Sequence, residues 1–274
     1  MLHAPRLSRI ERDGITYHTD ERLHERSGIV VAFSERIGGV SVPPYASLDL
    51  AAHTGDVPAS VNENRARFLD ALGLGNIAER LTTAEQVHGS LAVEVTPDLV
   101  GSGARAGERP PVAGADALLT RDADTPLMLF FADCVPVVLV SESARAVAVV
   151  HAGWKGAVAG TVGGAARALS SATGDPGDLI AYVGPHIREC CYEVGPEIVS
   201  QFANMFVTIP RASGRLDLAA AVAEDLVRAG VPEERQCHLG ICTAHNTDRF
   251  YSYRAEGRTG RHAALAAVTS FSRS

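Results

Sequence analysis

Ala132-Asp133-Cys134-Val135-Pro136 and His151-Ala152-Gly153-Trp154-Lys155-Gly156 decide how this chain is read. Apolar, β-branched runs adjoin both. Leu127 to Ala132 precedes the first, Val137 to Val140 lies between them, and Ala146 to Val150 leads into the second. Short continuous apolar runs of this kind predict buried strands. Such strands carry a cysteine and then a histidine to one edge of a sheet. Gly153, Gly156 and an Ala-rich run follow, which predicts a tight turn and one helix over Gly153 to Leu169. Gly160, Gly163 and Gly164 weaken that helix intrinsically, so close packing on the sheet is the expected reason for them. Cysteine and histidine at strand ends are the ingredients of a metal site, or of a nucleophile with its base.

Working outward, Ile29 to Phe33, Leu81 to Val87, Leu91 to Val95, Ala115 to Thr120, Leu179 to Val183 and His238 to Cys242 read as further strands. Pro58 to Gly73 reads as an amphipathic helix: Val61, Phe68, Leu69 and Leu72 share a face, Asp56 caps the start and Gly73 stops it. Pro196 to Phe206 and Leu218 to Ala229 are expected helices, and a short Ala-rich helix is expected after Arg261. Pro97 to Pro111 is a Gly- and Pro-rich loop. Residues 1–28 read as a polar, irregular arm with His3, His18 and His24 solvated, and residues 29–274 as one domain.

Composition narrows the class. Of 274 residues 46% are hydrophobic, ample for a substantial core. A net charge of −7 argues against broad polyanion binding, so no nucleic acid is expected as a partner. The most apolar stretch, Pro126 to Val140, is interrupted by Asp133 and Pro136 and is too short to span a membrane. The charged, histidine-bearing start has no apolar core of a signal peptide. Five cysteines, Cys134, Cys190, Cys191, Cys237 and Cys242, do not resemble a disulfide framework, and a reducing, cytoplasmic setting is expected.

The candidate site is His88, in Gln86-Val87-His88-Gly89, together with Cys134 and His151. Three N/S ligands and one open position make a catalytic zinc arrangement, whose water has a pKa lowered to about 7. The same Cys134 and His151 also suit a thiolate nucleophile and its base. A structural zinc would show four ligands and a short Cys-x-x-Cys pair, whereas Cys190-Cys191 is contiguous and Cys237 to Cys242 has the wrong spacing. Arg36, beside Gly38-Gly39, suits a phosphate or carboxylate, although spacing alone favours an ordinary turn. Arg254, Arg258 and Arg261 form a basic cluster that is equally readable as solvated surface or anion site.

The run of motifs resembles one family. Gln86-Val87-His88-Gly89, Ala132 to Pro136, His151 to Gly156, Gly184-Pro185-His186-Ile187 with Cys190 to Gly195, and Phe250-Tyr251-Ser252-Tyr253-Arg254 are similar, in order, to the YfiH-like family. That family is also called the multicopper polyphenol oxidase or laccase-domain family. The resemblance covers roughly residues 29 to 268. It implies an α/β fold, a single-domain layered sandwich with a central mixed β-sheet flanked by helices. It implies zinc held by His88, Cys134 and His151, which are also the expected catalytic residues. The implied activity is phosphorolysis of adenosine, inosine and methylthioadenosine, with deamination of adenosine. Purine nucleosides and phosphate are then the partners of a chain expected to be monomeric. Arg36, Lys155 and the Gly153 to Gly156 turn become the phosphate-binding candidates, and Glu85 or Glu193 the proton carrier. Asp49 stands where Asn is expected, and Cys242-Thr243-Ala244-His245 where many members have Cys-Thr-x-Cys. Two alternatives remain: a Cys-His hydrolase editing peptidoglycan precursors, and a copper polyphenol oxidase. The second is the weakest, because the ten histidines include no His-x-His pair, although copper remains a plausible adventitious metal.

Overall fold

In the computed structural model, which describes residues 4–174, 178–210 and 214–270, continuous apolar runs become strands buried on both faces. The chain begins with β1 (Ser8–Arg12), β2 (Ile15–Thr19), α1 (Glu21–Ser27) and β3 (Ile29–Ser34). There follow α2 (Pro58–Ala71), β4 (Thr82–Thr83), β5 (Ala92–Glu94) and β6 (Ala117–Thr120). The central run is β7 (Leu127–Phe131), β8 (Val135–Ser141), β9 (Ala146–Ala152), α3 (Trp154–Val158) and α4 (Thr161–Thr173). The last part holds β10 (Leu179–Val183), α5 (Pro196–Met205), α6 (Leu218–Arg228), β11 (Gln236–His238), α7 (Tyr253–Glu256) and β12 (His262–Val268).

The expected layered α/β sandwich is present, and its β layer is double. One mixed sheet runs β1-β2-β3-β12-β7-β4 and the other β11-β10-β8-β9-β6-β5. Alternate residues of each strand face opposite ways. Val31, Phe33, Leu129 and Ala264 of one sheet therefore meet Val138, Val149 and Tyr182 of the other in a shared core. The outer face of the second sheet, with Val137, Val150 and Ala181, is covered by Leu169, Phe202 and Val222 of the helices. The outer face of the first, with Ala32, Met128 and Leu265, is covered by Phe68 and Leu69 of α2. With both faces of both sheets covered at their centres, the inner strands β3, β7, β8, β9, β10 and β12 are buried throughout, so their apolar runs are continuous.

Several expectations are corrected. The arm is not irregular: β1 and β2 pair with each other and β2 pairs with β3, extending the first sheet. His18, expected in solvent, is 3% exposed, with Nε2 3.1 Å from Glu35 Oε1. His3 lies outside the described residues. Val57, not Asp56, precedes α2, and Asp56 instead accepts from the Ser41 hydroxyl. The helix over Gly153 to Leu169 is two helices, because Gly160 takes a left-handed φ of 71° between them. Gly163 is small because of α6 rather than the sheet: its N–H donates to Asp225 at 2.7 Å, and a Cβ there would lie 2.4 Å from that carboxylate. The Ala-rich segment after Arg261 is β12, the strand between β3 and β7. The late strand is β11, earlier than His238 to Cys242, and Cys242 retains one bridge, to His186.

Candidate active site

Antiparallel pairing of β8 with β9 places Pro136 opposite His151 and Val135 opposite Ala152. Cys134, one residue before β8, therefore emerges at the same edge as His151. β6 pairs with β9 on its other side, and the His151 N–H donates to the Asp116 carbonyl at 2.8 Å. His88 arrives from the loop before β5 in a left-handed conformation, φ 60°. The donor atoms of His88, Cys134 and His151 all lie within 4.8 Å of one another. The two imidazole rings are 4.9 Å apart at 78°.

Asp116 organises this convergence. Its Oδ1 accepts from the His88 N–H at 3.0 Å and Oδ2 from the Gly89 N–H at 2.6 Å and the Val87 N–H at 3.2 Å. The same Oδ1 lies 2.8 Å from His151 Nδ1. Donation from Nδ1 leaves His151 Nε2 as the ring's ligand or base atom. Gly153 completes the cradle, since a Cβ there would lie 3.0 Å from the His88 ring and 3.1 Å from the Cys134 sulfur. Burial alone would push the Cys134 thiol up and the His151 imidazole down. His151 and His88 instead hold the thiol at about 6. The Cys134 thiolate and the Asp116 carboxylate hold His151 at about 9. A thiolate with two nearby imidazoles matches the donor set of a zinc or copper ion.

The three residues floor a cleft of about 330 Å³. Its lining also includes Tyr192, Tyr253, Arg254, Arg261, Phe130 and His53. Arg254 lies over the Tyr192 ring at 5.1 Å and Arg261 over Tyr253 at 5.9 Å. The cleft walls, with Arg261 and Arg65, depress the His53 imidazole below its ordinary range, although the residue as a whole is exposed. Asp133, φ 90°, accepts from the Thr243 and Ser252 hydroxyls and the Arg254 N–H, each at 2.7 Å. It thereby holds the Cys134 turn against the wall that carries Arg254.

Other expected site residues are elsewhere. Arg36 does not line the cleft: it stacks on Tyr251 at 4.2 Å and bonds the Ala46 and Thr247 carbonyls and Glu256. Lys155 is exposed beside Trp154, also outside the cleft. The helix after Gly153 has only five residues, too short for an anion site of its own. Glu193 pairs with Arg215 at 3.0 Å, and Glu85 is exposed beyond the cleft. Of the basic cluster, Arg254 and Arg261 reach the cleft, while Arg258 bonds the Tyr45 hydroxyl. Asp116 was missed in the sequence; the signal was one acid in an apolar run before a strand. A second group also escaped: Cys190, Cys191, Cys242 and His245 converge within 4.8 Å, despite spacing that argued against it.

A double-sheet α/β sandwich with a cysteine and a histidine at one sheet edge, joined there by a loop histidine, defines a class of proteins with a metal-type cysteine–histidine site. The chain belongs to the multi-copper polyphenol oxidoreductase laccase family, whose model matches residues 30–269. It is 36% identical to a purine nucleoside phosphorylase of Streptomyces coelicolor, over 86% of this chain and 93% of that one. It is 32% identical to the purine nucleoside phosphorylase YfiH of Escherichia coli, over 87% and 93%. Among solved structures, YlmD of Geobacillus stearothermophilus superposes with a TM-score of 0.82 at 33% identity, covering 89% and 93%. YfiH of Bacillus licheniformis superposes at 0.84 with 27% identity, covering 94% and 98%.

Proposed function

We propose that the protein is a zinc-dependent purine nucleoside phosphorylase acting on adenosine, inosine and methylthioadenosine, and that it also deaminates adenosine. The observation that carries this is the meeting of His88, Cys134 and His151 beneath two arginines and two tyrosines. The names of the relatives support the same reading. His88, Cys134 and His151 would hold the zinc, which supplies Lewis-acid polarisation when bound. Arg254 and Arg261 supply guanidinium donors for the phosphate anion, replacing Arg36 and Lys155. Tyr192 and Tyr253 offer flat faces to a purine. In phosphorolysis a phosphate oxygen bonds to ribose C1′ as the bond from C1′ to the purine nitrogen breaks. The purine leaves with that electron pair. Positive charge develops on the ribose, and the two arginines hold the anionic nucleophile against it. The unpaired state of all five cysteines fits the proposed cytoplasmic setting.

A second reading rests on the short chain Asp116–His151–Cys134, which also describes a thiol hydrolase with an oriented base. One experiment separates the two. Ribose 1-phosphate should form from inosine only when phosphate is supplied, and folded His88→Ala and Cys134→Ser should both lose turnover. Excess zinc should restore part of it. A folded, zinc-free His88→Ala with normal turnover overturns the zinc reading. Product formed equally without phosphate makes the enzyme a hydrolase.

A further inference from the structure

Cys190, Cys191, Cys242 and His245 stand apart from the cleft, and none of them lines it. Cys190 and Cys191 lie in the turn after β10, and Cys242 and His245 in the segment after β11. The Cys190 sulfur is 3.6 Å from His245 Nδ1. Arg215, paired with Glu193, donates to the Cys190 carbonyl at 3.2 Å and so ties down the first loop. Three sulfurs and one imidazole form the closed, four-ligand set of a structural zinc site.

The geometry points to a second zinc site, in which Cys190, Cys191, Cys242 and His245 bind one ion and clamp two loops together. Those loops already meet: the His186 N–H donates to the Ile241 carbonyl at 3.2 Å and the Thr243 N–H to the His186 carbonyl at 3.0 Å. Both carry cleft structure. Ile187 and Tyr192 of the first line the cleft, while Thr243 of the second holds Asp133. The ion thus secures the wall bearing Tyr192 and Arg254 without touching a substrate. Binding releases the thiol protons, and the net negative charge of three thiolates and one divalent ion falls near the Arg188 guanidinium.

The test uses the full chain carrying His88→Ala and Cys134→Ser, which removes three-ligand binding in the cleft whatever that site does. Titrated with cobalt(II) under reducing conditions, this protein should take up about one equivalent and show sulfur-to-metal charge-transfer bands with tetrahedral visible bands. Adding Cys190→Ser should weaken the sulfur bands. Adding His245→Ala, an exposed position that spares the core, should lower affinity while leaving those bands. Zinc should displace the cobalt stoichiometrically and protect the three thiols from alkylation. Cobalt uptake without sulfur bands overturns the proposal. So does unchanged uptake in a Cys190→Ser, His245→Ala protein, or a disulfide among the three cysteines that persists in reductant and excludes metal.

Discussion

Asp116 is fully buried and spends both carboxylate oxygens on its neighbours. It ties the His88 turn to His151, so two ligand-type residues from distant parts of the chain share one acceptor. An amide at this position keeps one acceptor oxygen and turns an NH2 group toward the donors on the other side, leaving those without an acceptor. Asp116→Asn should therefore weaken affinity for the proposed zinc by about 10–100-fold, the usual loss for a partner that orients a ligand. Competition against a chromophoric chelator measures it, with a melt to check folding. Affinity equal to wild type would show that His88 and His151 hold their places unaided. In the sequence, Cys134 and His151 were legible as ligand-type residues beside strand ends, while His88, in the loop between β4 and β5, was legible chiefly through the resemblance of the Gln86-Val87-His88-Gly89 motif. Asp116 was not, since an isolated acid carries no sign of which backbone it serves.

At the scale of elements, β12 shows tertiary context overriding local preference. His262 to Val268 is rich in alanine, the strongest helix former, yet it pairs with β3 through Ala264–Phe33 and with β7 through Ala264–Leu129. Completing a sheet between two strands outweighs a helix propensity of a few tenths of a kcal/mol per residue. Small side chains are needed there because both faces are covered: Ala264 packs into the layer between the sheets and Leu265 against the α2 side. Ala264→Leu should cost about 1–3 kcal/mol through overpacking. Leucine and alanine differ little in helix preference, so a large loss in urea melts reports packing, and a loss below about 0.5 kcal/mol contradicts it. Gly184 at the end of β10 obeys the same constraint, since a Cβ there would lie 2.3 Å from the Phe33 ring.

The stability of the whole molecule should carry a pH signature from Asp49. This carboxylate is fully buried and accepts from Thr54, Ala51 and Arg261, linking the segment after β3 to the start of β12. Burial outweighs those bonds and pushes it up from 3.8 to about 6. A raised carboxyl contributes fully to folding below its unfolded pKa, and that contribution is lost as pH rises through 6. In Asp49→Asn this pH dependence is absent. The variant should gain on wild type by about 1–3 kcal/mol between pH 4 and pH 8, with loss of attraction to Arg65 and Arg261 trimming the gain. Thermal melts at both pH values decide it, and a gap that does not change with pH refutes it.

The continuous β-branched runs by themselves predicted buried strands, because such side chains suit a pleated sheet covered on both faces; the layered α/β sandwich was what the resemblance of the motifs implied. The sequence also placed Cys134 and His151 at one sheet edge, because an antiparallel pair returns the chain to where it began. Only the tertiary structure decided that the β layer is double, since an apolar run does not say whether a sheet or a helix covers it. Tertiary packing likewise recruited β1 and β2 into the sheet and turned Arg36 to Tyr251 and Glu256. It also brought Cys190, Cys191, Cys242 and His245 together. Contacts between residues far apart in the chain follow from how whole layers dock, which no local pattern encodes.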